Sequence, residues 1–86
     1  MYRYETAVKN PTGLHARPAS QMTQLCKKFS DNIALVCGTN RVNPKSIISI
    51  LSAGIKQGTA VTVEVEGENE EAVCMQIVSL IENLTD

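Results

Sequence analysis

The run Ala60–Glu66 sets Val61, Val63 and Val65 on one side and Thr62, Glu64 and Glu66 on the other. A period of two with one apolar side describes a strand that rests on a core and faces water opposite. Tyr2, Tyr4, Thr6 and Val8 alternate in the same way with Arg3, Glu5, Ala7 and Lys9, and Ile33, Leu35 and Cys37 share one face of Asn32–Cys37. Strands of this kind need cover on one face only. A fully buried parallel sheet is therefore excluded, and the rest of the chain must supply a single layer of helices.

Three segments change to helical spacing. From Ala16 to about Lys28, the residues Ala19, Met22, Cys26 and Phe29 recur at steps of three and four, with Pro18 in the first turn and Lys27 and Lys28 in the last. Pro is tolerated in a first turn because its missing N–H has no partner there anyway, and cations suit the negative end of the dipole. Ser46 to about Ser52 is a short apolar helix closed by Ala53-Gly54. In the last helix Asn69 is the expected cap, Glu70 and Glu71 fill the first turn, and Val73, Ile77, Leu80 and Leu84 form a buried stripe widened by Cys74 and Ile81. Asn10-Pro11-Thr12-Gly13, Gly38-Thr39-Asn40 and Lys56-Gln57-Gly58 are turns, Arg41-Val42-Asn43 is a short returning strand, and Pro44 ends it. The order β-α-β-β-α-β-α describes a two-layer α+β domain over residues 1–86.

Composition removes several function classes. The net charge of -1 carries no basic excess for nucleic acid, and one Phe, two Tyr and no Trp make no platform for stacking on bases. No apolar run has the length of a membrane span, and the opening Met-Tyr-Arg-Tyr-Glu is not the apolar stretch of a signal peptide. A cytoplasmic protein without membrane insertion is expected. Cys26, Cys37 and Cys74 are odd in number, widely spaced and accompanied by one histidine, so they are expected as small buried hydrophobes rather than a metal or redox site. Glu64, Glu66, Glu68, Glu70 and Glu71 read as solvated charge, and no glycine-rich loop for a nucleotide is present. No cofactor or metal is expected.

The informative segment is Gly13-Leu14-His15-Ala16-Arg17-Pro18. His15 stands where a helix cap belongs, and histidine is a poor cap beside Ser, Thr, Asp or Asn. The position has a chemical use. A helix start offers outward N–H groups, here those of Ala16 and Arg17, and the positive end of the dipole. A ring nitrogen at that place can act as a nucleophile. A phosphoryl group on one ring nitrogen would be a dianion facing those amides and the Arg17 guanidinium. The residues alone leave open an ordinary surface histidine in a turn, and for Ser46 they leave open a plain helix cap.

The string NPTGLHARPAS, from Asn10 to Ser20, resembles the phosphohistidine signature of the HPr family. Lys45-Ser46-Ile47, followed by Ser52-Ala53-Gly54-Ile55, resembles the segment around that family's regulatory serine. The resemblance covers essentially the whole chain. It implies an open-faced sandwich in which four antiparallel strands lie under three helices. It also implies a phosphocarrier of the bacterial sugar phosphotransferase system, a protein substrate rather than an enzyme. His15 would accept the phosphoryl group from Enzyme I and pass it to the IIA components of sugar permeases. Arg17 would steady the phosphate, with Ala16 and Pro18 shaping the helix start. Ser46 would be the regulatory site, modified by HPr kinase/phosphorylase. Ile47, Ile48 and Leu51, with at least one packed inward and with Ile48 and Leu51 partly exposed, would form the docking patch, extended by Leu14 and Ser20. The chain departs from the pattern at Pro44, where Ala or Leu is usual, and at Ala53, where Leu is common. Alternative readings are a regulatory module that binds catabolite control protein A, and a carrier of the nitrogen-linked branch. A monomer is expected.

Overall fold

The computed structural model describes residues 1–85. Its elements follow the expected order: β1 (Tyr2–Ala7), α1 (Ala16–Cys26), β2 (Asn32–Cys37), β3 (Asn40–Val42), α2 (Ile47–Ala53), β4 (Ala60–Glu66) and α3 (Glu70–Glu82). The strands form one sheet in the order β1-β4-β2-β3, with every pairing antiparallel. The strand with the cleanest alternation, β4, is thus interior, flanked by β1 and β2. Val61, Val63 and Val65 are fully buried beneath α3, together with Leu35 of β2 and Ile77 of α3. The helices lie on one face, which makes the open-faced α+β sandwich that one-sided alternation requires.

The other face is polar and organised around Glu64. Its carboxylate accepts from Arg3 Nε at 2.9 Å and from Arg41 Nη1 at 2.8 Å, so one carboxylate of β4 links β1 to β3. The Arg41 side chain must cross β2 to reach it. This accounts for Ala34, which lies on the helix-free face and is nevertheless buried. The Arg3 hydrogen bond chiefly holds the Glu64 carboxyl below its ordinary range, with Arg41 adding and partial burial opposing. Exposed ion pairs contribute at most about 1 kcal/mol each. The network's weight lies in joining three strands, β1, β4 and β3, across the fourth.

Several local expectations change in three dimensions. Val78 joins the buried stripe of α3, while Leu80 and Leu84 are only partly buried. Phe29 is partly buried, and α1 ends at Cys26, before Lys27 and Lys28. Asn69 stands at the N-cap of α3 without a side-chain capping bond. Its own N–H donates instead to Asp31 Oδ2 at 3.3 Å, and Glu70 Oε1 accepts from Gly67 N. Asp31 fills the space beside Gly67, where a Cβ would collide with its carboxylate. Of the cysteines, Cys26 and Cys74 are buried and Cys37 only partly so.

Burial pushes the Cys26 thiol from 9.0 up to about 12, opposed by the Lys45 ammonium. A thiol raised in the folded state binds its proton more tightly than the unfolded chain does, so stability is whole below pH 9 and lost as pH rises toward 12. Urea unfolding midpoints are expected to be flat with respect to this group up to pH 9, then to fall. Cys26→Ala should show a shallower alkaline fall; an identical slope would remove Cys26 as a cause.

Candidate functional site

The site is built on the Asn10–Gly13 turn. Gly13 N–H donates to the Asn10 carbonyl at 3.1 Å, and Asn10 Nδ2 donates back to the Gly13 carbonyl at 2.8 Å. Pro11 supplies the fixed φ that suits the second position of such a turn. Gly13 adopts φ 65 and lies directly against the backbone of Ile55 and Lys56. A Cβ there would press on the Ile55 carbonyl oxygen and stand 2.9 Å from Lys56 Cα. The next residue, Leu14, donates its N–H to that same Ile55 oxygen at 3.1 Å and buries its side chain to 2% exposure. The chain is therefore clamped on both sides of Gly13 before it reaches His15.

His15 then stands at the N-cap of α1 in extended conformation, exposed, with no side-chain capping bond. The ring is left available to solvent and to a reacting partner. Ala16 follows with φ 44, the only non-glycine residue at positive φ among those described. An L-residue in this region costs on the order of 1–2 kcal/mol and persists only where its surroundings over-determine it. Here the buried Leu14 precedes it and the buried Pro18 and Ala19 follow it. The consequence is a helix start turned sharply away from the chain that feeds it.

His15, Ala16, Arg17, Pro18 and Thr12 line one open depression of ≈ 380 Å³. No acidic residue occupies the first turn of α1, so the positive end of its dipole faces His15 without a counter-charge from that turn. Arg17 is exposed on the same rim. An anion carried by the ring would meet a helix start and a guanidinium in a site that stays open to a partner. Among the described residues, no group of three or more His, Cys, Asp or Glu side chains is arranged to hold a metal ion.

The other expected site residues lie elsewhere. Ser46 caps α2, its hydroxyl accepting from Ser49 N at 3.2 Å, and it does not line the His15 depression. Ile48 is 73% exposed, Leu51 40% and Ile47 39%, so none of the three packs fully inward. Ile50 takes the inward position at 0%. Leu14 was expected on the docking surface, but it points into the core because its backbone is tied to Ile55. Its side chain is not part of the exposed surface. Ser20 is partly exposed. Lys45 donates from Nζ to the carbonyls of Phe29 and Asp31, at 2.8 and 2.9 Å, tying the approach to α2 to the end of α1. Neither this clamp nor Asn10 and Ile55 was singled out from the sequence. The signal that could have raised them is an Asn-Pro pair before each of the first two helices, at Asn10-Pro11 and Asn43-Pro44.

Gly13→Ala is expected to destabilise the fold by more than about 1 kcal/mol, because φ is positive and the facing atoms are backbone. Chemical unfolding measures this, and Gly38→Ala, where a Cβ meets nothing within 4 Å, is the comparison at similar φ. Equal losses in the two variants would mean that the close approach at Gly13 contributes nothing.

The family profile described as "PTS HPr component phosphorylation site" matches residues 2–83. The chain is 39% identical over 83 residues to the phosphocarrier protein HPr of Mycoplasma pneumoniae, covering 95% of this chain and 94% of that protein. Among solved structures it resembles HPr of Thermoanaerobacter tengcongensis, with TM-score 0.91 and 43% identity over 95% of this chain and 92% of the other. It also resembles Crh of Bacillus subtilis in a swapped dimer, with TM-score 0.76 and 29% identity over 100% and 99% of the two chains. With a match over nearly its whole length and the fold in agreement, the chain belongs to the HPr family of phosphocarrier proteins of the phosphotransferase system.

Proposed function

We propose that this chain carries a phosphoryl group on His15 from Enzyme I to the IIA components of sugar permeases. The observation that carries this reading is the exposed His15 ring at an uncompensated helix start, beside Arg17. A ring nitrogen attacks phosphorus on the donor. The new N–P bond forms as the donor's bond to phosphorus breaks, and the ring N–H proton neutralises part of the charge. The dianion then faces the α1 dipole, worth about 0.3–1 kcal/mol at an exposed site, and a charge-assisted bond from Arg17. Such modest stabilisation suits a carrier, because the second transfer must break the same N–P bond. The depression at His15 is open among the described residues, so the partners complete each transfer site, and the protein acts as their substrate, working as a monomer in the cytoplasm. The whole of residues 1–86 serves as one such unit.

The exposed Ile48, Leu51 and Ile47 on α2, with Ser20 on α1, form the surface on which partners dock. Desolvated apolar anchors of this kind dominate binding energy. Ser46 provides a second use. Its hydroxyl is partly exposed at the start of the docking helix, and a phosphate there would add roughly two negative charges beside the patch and weaken docking. HPr kinase/phosphorylase is the agent for that step. A regulatory role through catabolite control protein A is compatible with Ser46 and with the similarity to Crh, but it leaves His15 unexplained.

Incubation with phosphoenolpyruvate and catalytic Enzyme I is expected to add one acid-labile phosphoryl group, read by intact mass, and His15→Ala should add none. No modification of the folded wild type by its own organism's Enzyme I would transfer the reading to the regulatory module. Ile48→Asp is expected to raise the KM of Enzyme I for this protein by about ten-fold or more with the melting temperature unchanged. A collapse of the fold would instead make Ile48 a core residue.

A further inference from the structure

Asn10 is polar, yet it is only 3% exposed. Its Nδ2 donates to the Gly13 carbonyl, and its Oδ1 is buried with no hydrogen-bond partner. The amide cannot be turned to relieve this, because Oδ1 would then face the Gly13 oxygen. A buried unpaired acceptor lowers stability. An alanine in its place would remove the unpaired oxygen together with the bond to the Gly13 carbonyl, two opposing effects, so the fold alone gains little from asparagine here. The gain lies in the turn. The Asn10 side chain closes a second bond across Asn10–Gly13, in addition to the backbone bond from Gly13 N–H. Gly13 is the residue pressed against Ile55 and Lys56, and Leu14, tied to Ile55, is next in line. The orientation of the Gly13–Leu14 peptide is therefore held from both ends, by Asn10 on its carbonyl and by Ile55 on its N–H. That peptide directs the chain into His15 and into the positive φ of Ala16.

We propose that Asn10 is a positioning residue for phosphoryl transfer: its buried amide locks the Gly13 carbonyl and so holds the His15 ring in the orientation in which it accepts the group. The inference rests on the carrier reading of His15. Asn10 does not line the His15 depression; it acts through the turn. Small misplacements of a reacting group cost large factors in rate, because the bound geometry must be close to the geometry of attack.

The test compares wild type, Asn10→Ala and Asn10→Asp in steady-state phosphorylation by Enzyme I and phosphoenolpyruvate, with chemical unfolding in parallel. Asn10→Ala is expected to stay folded with stability close to wild type, because the lost bond and the removed unpaired oxygen offset each other, while kcat falls roughly ten-fold and KM is unchanged. Asn10→Asp, whose carboxylate cannot donate to the Gly13 oxygen, should lose at least as much. A folded Asn10→Ala with kcat within about two-fold of wild type overturns the proposal. So does a loss of stability with no change in kcat, which is what a merely structural role would give. If Asn10→Ala does not fold, Asn10→Ser, which keeps a donor too short to reach across the turn, takes its place under the same criteria. If the wild type itself accepts no phosphoryl group, it is the carrier reading that fails. The lock that Asn10 places on the turn is tested separately by amide hydrogen exchange at Leu14, expected to quicken in the alanine variant; unchanged exchange rejects the lock and with it the positioning role.

Discussion

The close approach of Gly13 to the Ile55–Lys56 backbone is the contact on which the working end of the molecule depends. It brings the loop before α1 against the loop after α2, two segments far apart in sequence, and only a residue without a Cβ fits. Leu14 bonds to Ile55 and lies in the same core as the inward residues of β4 and α3. Everything after it inherits that constraint: His15 is left outside, Ala16 takes a left-handed φ, and α1 starts with its positive end beside an exposed ring. The sheet below supplies rigidity, and the contact above it sets where that rigidity is used.

The same local device serves both helix starts on this side of the molecule. Asn10-Pro11-Thr12-Gly13 and Asn43-Pro44-Lys45-Ser46 each close with a backbone bond of 3.1 Å from the fourth residue to the asparagine carbonyl. In the first, the asparagine side chain donates to the Gly13 carbonyl; in the second, Asn43 Oδ1 accepts from Lys45 N at 3.0 Å. Each turn delivers a capping residue, His15 or Ser46, to a helix. Pro44, which departs from the family pattern, is thus part of a built turn and is buried in it. The difference between the two caps is chemical. Ser46 spends its side chain on the Ser49 amide, whereas His15 makes no capping bond and leaves its ring exposed.

Much of this was legible in the sequence. One-sided alternation in Ala60–Glu66 led to a sheet with one covered face, and the poor capping ability of His15 marked it as chosen for something other than the helix. The failures share a cause. Leu14 lies beside His15 in sequence, but its burial depends on Ile55, forty-one positions on. Leu80 and Leu84 fit the helical stripe, yet which side chains of α3 sit deepest depends on where β1 and β4 pass beneath it. Asn10 reads as ordinary turn chemistry until its enclosure shows an acceptor left without a partner.

By itself the sequence determined the order of elements, the inward face of each strand, the turns, and the placement of a histidine at a helix start. These follow from short-range periodicity and backbone preference, which act over a few residues. Only the tertiary structure decided the strand order β1-β4-β2-β3, the inward turn of Ile50 with Ile48 left in water, the burial of Leu14 and the double bonding of the Asn10 turn. Each of these is settled by which distant backbone a residue meets, and no local pattern encodes that meeting.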